Sequence, residues 1–223
     1  DARAELGASV FFGNTSQAVV TTSTQATRTT DAVELLSRAG FSYGEVTGDS
    51  EAAAVSKRAW GVSSDLNFAP EKAFNFFVRG MAESIFEKRI ELRYNGGAGG
   101  KIQIFRSPTT RAELAVAVLG EKTVPRAGSG LEPTVVAKWS SRLVLRRALS
   151  EGKVTLETET TYEPEIDAFG SFTFSAKSNI AFQVSRKVGL QVSFVDQYDS
   201  GAELRGARTN NDGQLYFSVV NTF

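Results

Sequence analysis

The sequence predicts an all-β fold: a closed antiparallel up-and-down transmembrane β-barrel of about twelve strands. Three observations predict it. Apolar and polar residues alternate with period two along nearly the whole chain. No run of about 18 apolar residues is present to form a membrane-crossing helix. Short turns alternate with longer loops, as in a barrel whose two rims differ.

The first strand, near residues 5–13, puts Leu6, Ala8, Val10 and Phe12 on one parity. The second, near 16–29, is Thr-rich and is assigned by β propensity, with its facing open. The third, near 31–45, alternates Val33, Leu35, Ala39, Phe41 and Tyr43. The fourth, near 53–68, carries Trp60, Val62, Leu66 and Phe68, and the fifth, near 72–86, Phe74, Phe76, Val78 and Phe86. Ile90, Leu92, Tyr94, Ala98, Ile102 and Ile104 mark the sixth, near 89–106. Ala112, Leu114, Val116 and Val118 mark the seventh, near 110–120. The eighth, near 133–149, has Val135, Ala137, Trp139, Leu143 and Leu145, and the ninth, near 153–163, Val154, Leu156 and Tyr162.

The tenth strand, near 169–185, shows the pattern most fully. Phe172, Phe174, Ala176, Ile180, Phe182 and Val184 oppose Thr173, Ser175, Lys177, Asn179 and Gln183. Successive strand side chains point to opposite faces, so one face is apolar and the other polar; a helix would scatter both sets. Val188, Leu190, Val192, Phe194 and Tyr198 follow near 188–199, then Leu215, Phe217, Val219 and Phe223 near 212–223. No composition break divides the chain, which reads as one domain, 1–223.

Short turns fall at Thr30-Asp31, Pro70-Glu71-Lys72, Ser107-Pro108-Thr109, Glu151-Gly152 and Arg186-Lys187. The opposite set is mostly longer: Gly44 to Ala53, Gly120 to Pro133, Glu163 to Ala168 and Ser200 to Asp212, with short members at Asn14-Thr15 and Glu87-Lys88. Short turns and both termini are expected in the periplasm, and the long loops outside the cell.

A soluble barrel or sandwich would also alternate, with its apolar face inward. A solvated outer face would accept the charged positions equally well: Glu34, Arg38, Lys57, Arg79, Glu83, Arg93, Lys101, Lys138, Arg142, Glu157, Glu159 and Lys177. The membrane arrangement is favoured by aromatics near strand ends on the apolar face: Tyr43, Phe68, Phe74, Phe86, Tyr162, Phe182, Tyr198 and Phe223. It is favoured also by a final strand that runs to Phe223. A sheet in lipid must close, because each unpaired edge group costs several kcal/mol.

Composition excludes several chemistries. Basic and acidic residues balance at 25 each, which gives no footprint for nucleic acid. Neither cysteine nor histidine occurs, which removes thiol nucleophiles, disulfides and the usual general base and metal ligand. No enzyme activity, cofactor or metal is expected. Ser140-Ser141 therefore has no histidine to complete a triad.

The chain resembles the YdiY-like family of salt-induced outer-membrane barrels, whose shared domain has no assigned function. The residues are Leu6-Gly7-Ala8-Ser9-Val10 with Gly13-Asn14-Thr15, the central Leu92-Arg93-Tyr94-Asn95-Gly96-Gly97-Ala98-Gly99-Gly100, and the ending Tyr216-Phe217 to Asn221-Thr222-Phe223. The resemblance covers the chain from about Leu6 onward. It implies a Gram-negative outer-membrane location and insertion by the barrel-assembly machinery, which reads a C-terminal aromatic strand. Asn221 departs from that signal, where an apolar residue is usual. No catalytic residues carry over.

The candidate lumen residues are Lys138, Arg142, Arg146, Glu157, Glu159, Arg79, Glu83, Arg93, Lys101 and Lys177. Lys138, Arg142 and Arg146 form a basic stripe that would favour anions in an open lumen. The competing reading pairs them internally, with the turn at Glu151-Gly152 bringing Arg146 beside Glu157. Glu83 and Glu91 could form a carboxylate pair for acid–base work, against a network neutralised by Arg93. Gly96, Gly97, Gly99 and Gly100 lack the Lys-Ser/Thr of a phosphate loop, and Gly97 and Gly99 are expected to leave room for interior side chains of other strands. The loop from Gly120 to Pro133 is expected to be solvated outer surface, open to lipopolysaccharide or a partner.

Three functions remain: a small passive diffusion channel with a charged lumen, a plugged structural or interaction barrel of the envelope, and a soluble ligand-binding barrel. The facing itself is testable. Val192→Arg, on the predicted lipid side, should impair folding far more than Gln191→Arg on the lumen side, read as the heat-modifiable folded band on a gel.

Overall fold

The computed structural model describes residues 2–11, 16–47, 54–185 and 187–222. The described residues form twelve strands: β1 (Ala2–Phe11), β2 (Ser16–Thr29), β3 (Val33–Thr47), β4 (Ala54–Phe68), β5 (Phe74–Ile85), β6 (Ile90–Arg106), β7 (Thr110–Pro125), β8 (Thr134–Leu149), β9 (Val154–Pro164), β10 (Phe172–Gln183), β11 (Val188–Asp199) and β12 (Asn211–Thr222). Each pairs antiparallel with its sequence neighbours, and β1 pairs with β12 to close the ring. Closure runs from Arg3 opposite Thr222 to Ala8 opposite Phe217.

The apolar parity faces outward. Phe41, Trp60, Val62, Phe76, Tyr94, Ile104, Val118, Trp139, Leu143, Phe182, Leu190, Phe194 and Phe217 are all exposed large side chains. The opposite parity is buried and polar, with Asp65, Asn67, Asn95, Arg93, Lys101, Glu121, Lys138, Arg142 and Ser193 inside. This inverts a soluble barrel, and it fits a wall bathed in lipid around a hydrated interior. Along β6 the exposed parity runs from Tyr94 to Ile104. The ten steps between them, at about 3.3 Å each and tilted by about 40°, cover about 25 Å, the height of a membrane barrel's apolar band.

The open question at β2 is resolved: Val20 faces out, and Ser23 and Gln25 line the interior. β7 extends to Pro125, further than expected, because Glu121 and Thr123 still pair with Asn95 and Arg93 of β6. The loop that follows shrinks to 126–133. The short turns at 30–32, 69–73, 107–109, 150–153 and 184–187 share one rim; 86–89, 126–133, 165–171 and 200–210 share the other. The expected turn at Asn14-Thr15 and residues 48–53 of the Gly44 to Ala53 loop lie outside the described residues, as do Phe12, Arg186 and Phe223. Nothing is described of the Lys57 side chain.

The room left by Gly97 and Gly99 is taken by the adjacent strand β7: at Gly97 a bulky interior side chain fills it as expected, with a Leu119 methyl 2.8 Å from where a Cβ would stand, and the β7 backbone comes closer still. A Cβ on Gly97 would collide with the carbonyl oxygen of Val118, and one on Gly99 with that of Val116. The neighbouring β7 backbone itself occupies the space, and β7 places small Ala115 and Ala117 beside Leu119 and Phe77 in a tight inner cluster. Gly99→Val should abolish the compact band on an unheated gel, since overpacking costs about 1–3 kcal/mol even where neighbours can shift. Gly80→Val should leave that band intact, because nothing lies within 4 Å of where its Cβ would stand.

Candidate functional site

Every candidate lumen residue lies on the inner face. Arg79, Arg146, Glu157, Glu159 and Lys177 line one cavity of about 330 Å³. A second, of about 610 Å³, lies nearer the short-turn rim and shares Gln25, Arg146, Glu157 and Asn179 with the first. A third, of about 170 Å³, reaches Lys101 and Arg142. A fourth, of about 180 Å³, lies toward the long-loop rim against Glu83, Lys88, Arg93 and Tyr198, and shares Arg79, Met81 and Glu159 with the first. Neighbouring cavities thus share lining residues along the interior, and the one of about 610 Å³ lies toward the short turns.

Ion pairs tie the wall together. Lys138 meets Glu121 at 2.8 Å, Arg142 meets Asp65 at 3.5 Å, and Arg146 meets Glu157 at 2.9 Å. The basic stripe is therefore paired residue by residue, and the turn joining β8 and β9 does set Arg146 beside Glu157. Lys101 reaches Glu113 at 3.7 Å. Glu83 and Glu91 do not converge. Glu83 points inward to Arg93 at 3.3 Å, whereas Glu91 is exposed near Arg126 at 3.9 Å. The register shifts between Ile90 and Leu92, and this irregularity separates two carboxylates that simple alternation puts together.

Two hubs gather these charges, and of their contacts only the neutralisation of Glu83 by Arg93 was legible in the sequence. Asp65, 3% exposed at its side chain, is approached by Arg38 (3.4 Å), Arg79 (3.5 Å) and Arg142 (3.5 Å). Arg142 comes from β8 and Asp65 from β4, so this contact crosses the lumen; Arg79 also reaches Glu163 of β9 at 3.8 Å. The second hub is Arg93, which contacts Glu83 (3.3 Å), Glu121 (3.6 Å) and Asp199 (2.6 Å). Arg93 on β6 and Asp199 on β11 stand nearly opposite in the ring. Nothing in local spacing signals such pairs, because they depend on the ring's stagger.

The second hub ties together the segments at the long-loop mouth. Arg205, in the β11–β12 connection, donates to Asp199 at 2.7 Å and to the Lys88 carbonyl at 3.2 Å. Lys88, in the β5–β6 turn, is buried and donates to the Gln197 carbonyl at 3.4 Å. Burial pulls its ammonium below the ordinary lysine pKa, and the Asp199 carboxylate opposes that pull.

The family model described as "Protein of unknown function, DUF481" matches residues 4–223. No curated protein matches the chain significantly. Solved structures with a similar fold include a NanC porin, 7% identical over 100% of both chains with a TM-score of 0.56. A KdgM porin in complex with disordered oligogalacturonate is 8% identical, covers 100% of this chain and 99% of its own, and gives a TM-score of 0.52. A bacterial polysaccharide outer membrane secretin is 8% identical over 100% and 98%, with a TM-score of 0.50. At these identities the likeness is one of fold: a closed antiparallel transmembrane barrel.

Removing Arg93 takes away a cation shared by three acids, of which Glu121 keeps Lys138 and Asp199 keeps Arg205. Arg93→Met should lower stability in detergent by about 3–5 kcal/mol, the cost of breaking a buried network from one side. Arg146→Met, at a pair with an arginine 56% exposed, should cost no more than about 1 kcal/mol. Thermal unfolding of both variants checks the ranking.

Proposed function

The chain belongs to the DUF481 family, and from that premise and the form of its interior we propose that it is an integral outer-membrane β-barrel carrying a narrow passage for small hydrophilic solutes. One observation carries this reading: a run of neighbouring cavities that share lining residues, from about 610 Å³ near the short-turn rim through about 330 Å³ to about 180 Å³ below the long-loop mouth. Polar side chains such as Gln25, Ser63, Asn179 and Lys177 border it, together with apolar ones such as Met81 and Phe174.

Local charge gives the passage a sign. Arg38, Arg79 and Arg142 share Asp65, so its middle carries more cation than anion. Small anions pass more readily than small cations on this reading. The residues responsible are Arg38 and Arg79, with Lys177 in the same cavity, more than the paired Lys138 and Arg146. The porin names among the structural relatives agree in kind with a passage. The YdiY-like resemblance adds induction by salt and delivery by the barrel-assembly machinery. Long loops then face outward and short turns the periplasm, and a chain without histidine or cysteine performs no catalysis on this reading.

The plugged barrel has its own support in the contact between Arg93 and Asp199, which spans the lumen at 2.6 Å below the mouth. One experiment separates the two. Refolded protein in a planar bilayer should give small discrete conductance steps with an anion-selective reversal potential under a salt gradient. Arg38→Glu should reduce that selectivity several-fold without closing the steps. A silent wild type that conducts once Asp199→Asn is introduced would establish the plug in place of the open passage.

A further inference from the structure

Outside the lumen, the long-loop rim of β4–β7 carries a basic cluster built around one aromatic ring. Phe86 lies in the β5–β6 turn. The Arg126 guanidinium carbon lies 4.9 Å from its ring centre and that of Arg58 5.7 Å. One ring therefore holds two cations within about 11 Å of each other, an arrangement that cation–π attraction stabilises. The backbone fixes the three segments together. The Phe86 amide donates to the Arg58 carbonyl at 2.9 Å, and the Arg126 amide to the Arg89 carbonyl at 2.8 Å. Arg89 itself sits in a left-handed conformation, φ 55°, that a non-glycine residue adopts only when its surroundings hold it there.

The cluster's level on the barrel is defined by register. Lys122 of β7 stands opposite Tyr94 of β6, an exposed aromatic of the outer wall. Arg126 lies four residues further toward the rim. Arg58 is two residues beyond the exposed Trp60. The arginines thus stand just past the aromatic belt, where a bilayer presents phosphate groups and no longer presents hydrocarbon. Arg89 and Lys122 add two cations in the adjoining turn and strand, and Glu87 and Glu91 add two acids. Glu91 lies 3.9 Å from Arg126 Nε, which is buried and has no hydrogen-bond acceptor among the described residues. Guanidinium forks match phosphate oxygens, and an aromatic backing keeps them aimed outward.

We infer that this cluster is a binding site for the phosphorylated headgroup of lipopolysaccharide. The inference rests on the proposed outward orientation of the long loops, which puts this rim in the outer leaflet. A multiply phosphorylated headgroup fits two guanidinium groups held on one ring, with further cations in the adjoining segments, better than a lipid with a single phosphate.

The test uses the full chain refolded in detergent and compares the wild type with R58A/R126A. Heat-modifiable mobility and insertion into lipid vesicles serve as folding controls. Lipopolysaccharide titrated by native mass spectrometry should bind the wild type at least tenfold more tightly than the folded double variant. Dephosphorylated lipopolysaccharide should bind both at the variant's level. Single-channel conductance should be the same in both, since neither arginine faces the lumen. Equal affinity of the wild type and the folded variant for lipopolysaccharide would overturn the site and leave the passage untouched. An equal loss with phosphatidylglycerol would overturn the assignment to a multiply phosphorylated headgroup. Failure of the wild type to insert into vesicles would instead sink the membrane reading beneath both. Should the double variant not fold, R58A alone, at an exposed side chain, carries the same comparison.

Discussion

Closure of the ring is the constraint on which the remaining structure depends. Hydrocarbon offers no partner to a backbone amide or carbonyl, so a sheet in lipid has no tolerable edge. The seam between β1 and β12 removes both edges at once. From that follows the alternation: each strand must show lipid an apolar row and show the interior whatever the first row excludes. The polar residues are inside because the wall leaves them no other place to go.

The interior then becomes the difficult part. Charges confined in a narrow tube must be neutralised or hydrated. This barrel uses both solutions in different sectors. Between β4 and β8 the charges are paired around Asp65 and beneath the mouth around Arg93, with several side chains nearly dry. Along β2, β3, β9 and β10 the inward residues border open space. The same composition, balanced in sign, supplies both a paired brace and the lining of open cavities.

Much of this was legible in the residues. Period-two patterning gave the strands, their facing and the ring, because a strand's periodicity is local and strict. The pairing of Arg146 with Glu157 was legible too, since a tight turn fixes which residues meet across it. The hubs were not, beyond the pairing of Arg93 with Glu83 across one tight turn. Asp65 and Arg142 are brought together by stagger accumulated over four strands, and no short window contains it. The inner role of Gly97 and Gly99 was legible only in part: Leu119 fills the room at Gly97, but the close β7 backbone was not foreseen. A missing side chain signals a close approach without saying what approaches, and here it is the adjacent backbone. The facing of β2 escaped because threonine suits either side of the wall.

The close contact at Gly97 and Gly99 makes the barrel eccentric. With β6 drawn against β7 and the small cluster of Phe77, Ala115, Ala117 and Leu119 packed behind it, that half of the wall acts as a rigid spine. The void is displaced to the far side. On the proposed reading, a solute entering from the short-turn end would travel off-axis along β2, β3, β9 and β10 and meet β6 and β7 only below the long-loop mouth. Change in the far arc could then retune that part of the passage without loosening the close contact of β6 with β7.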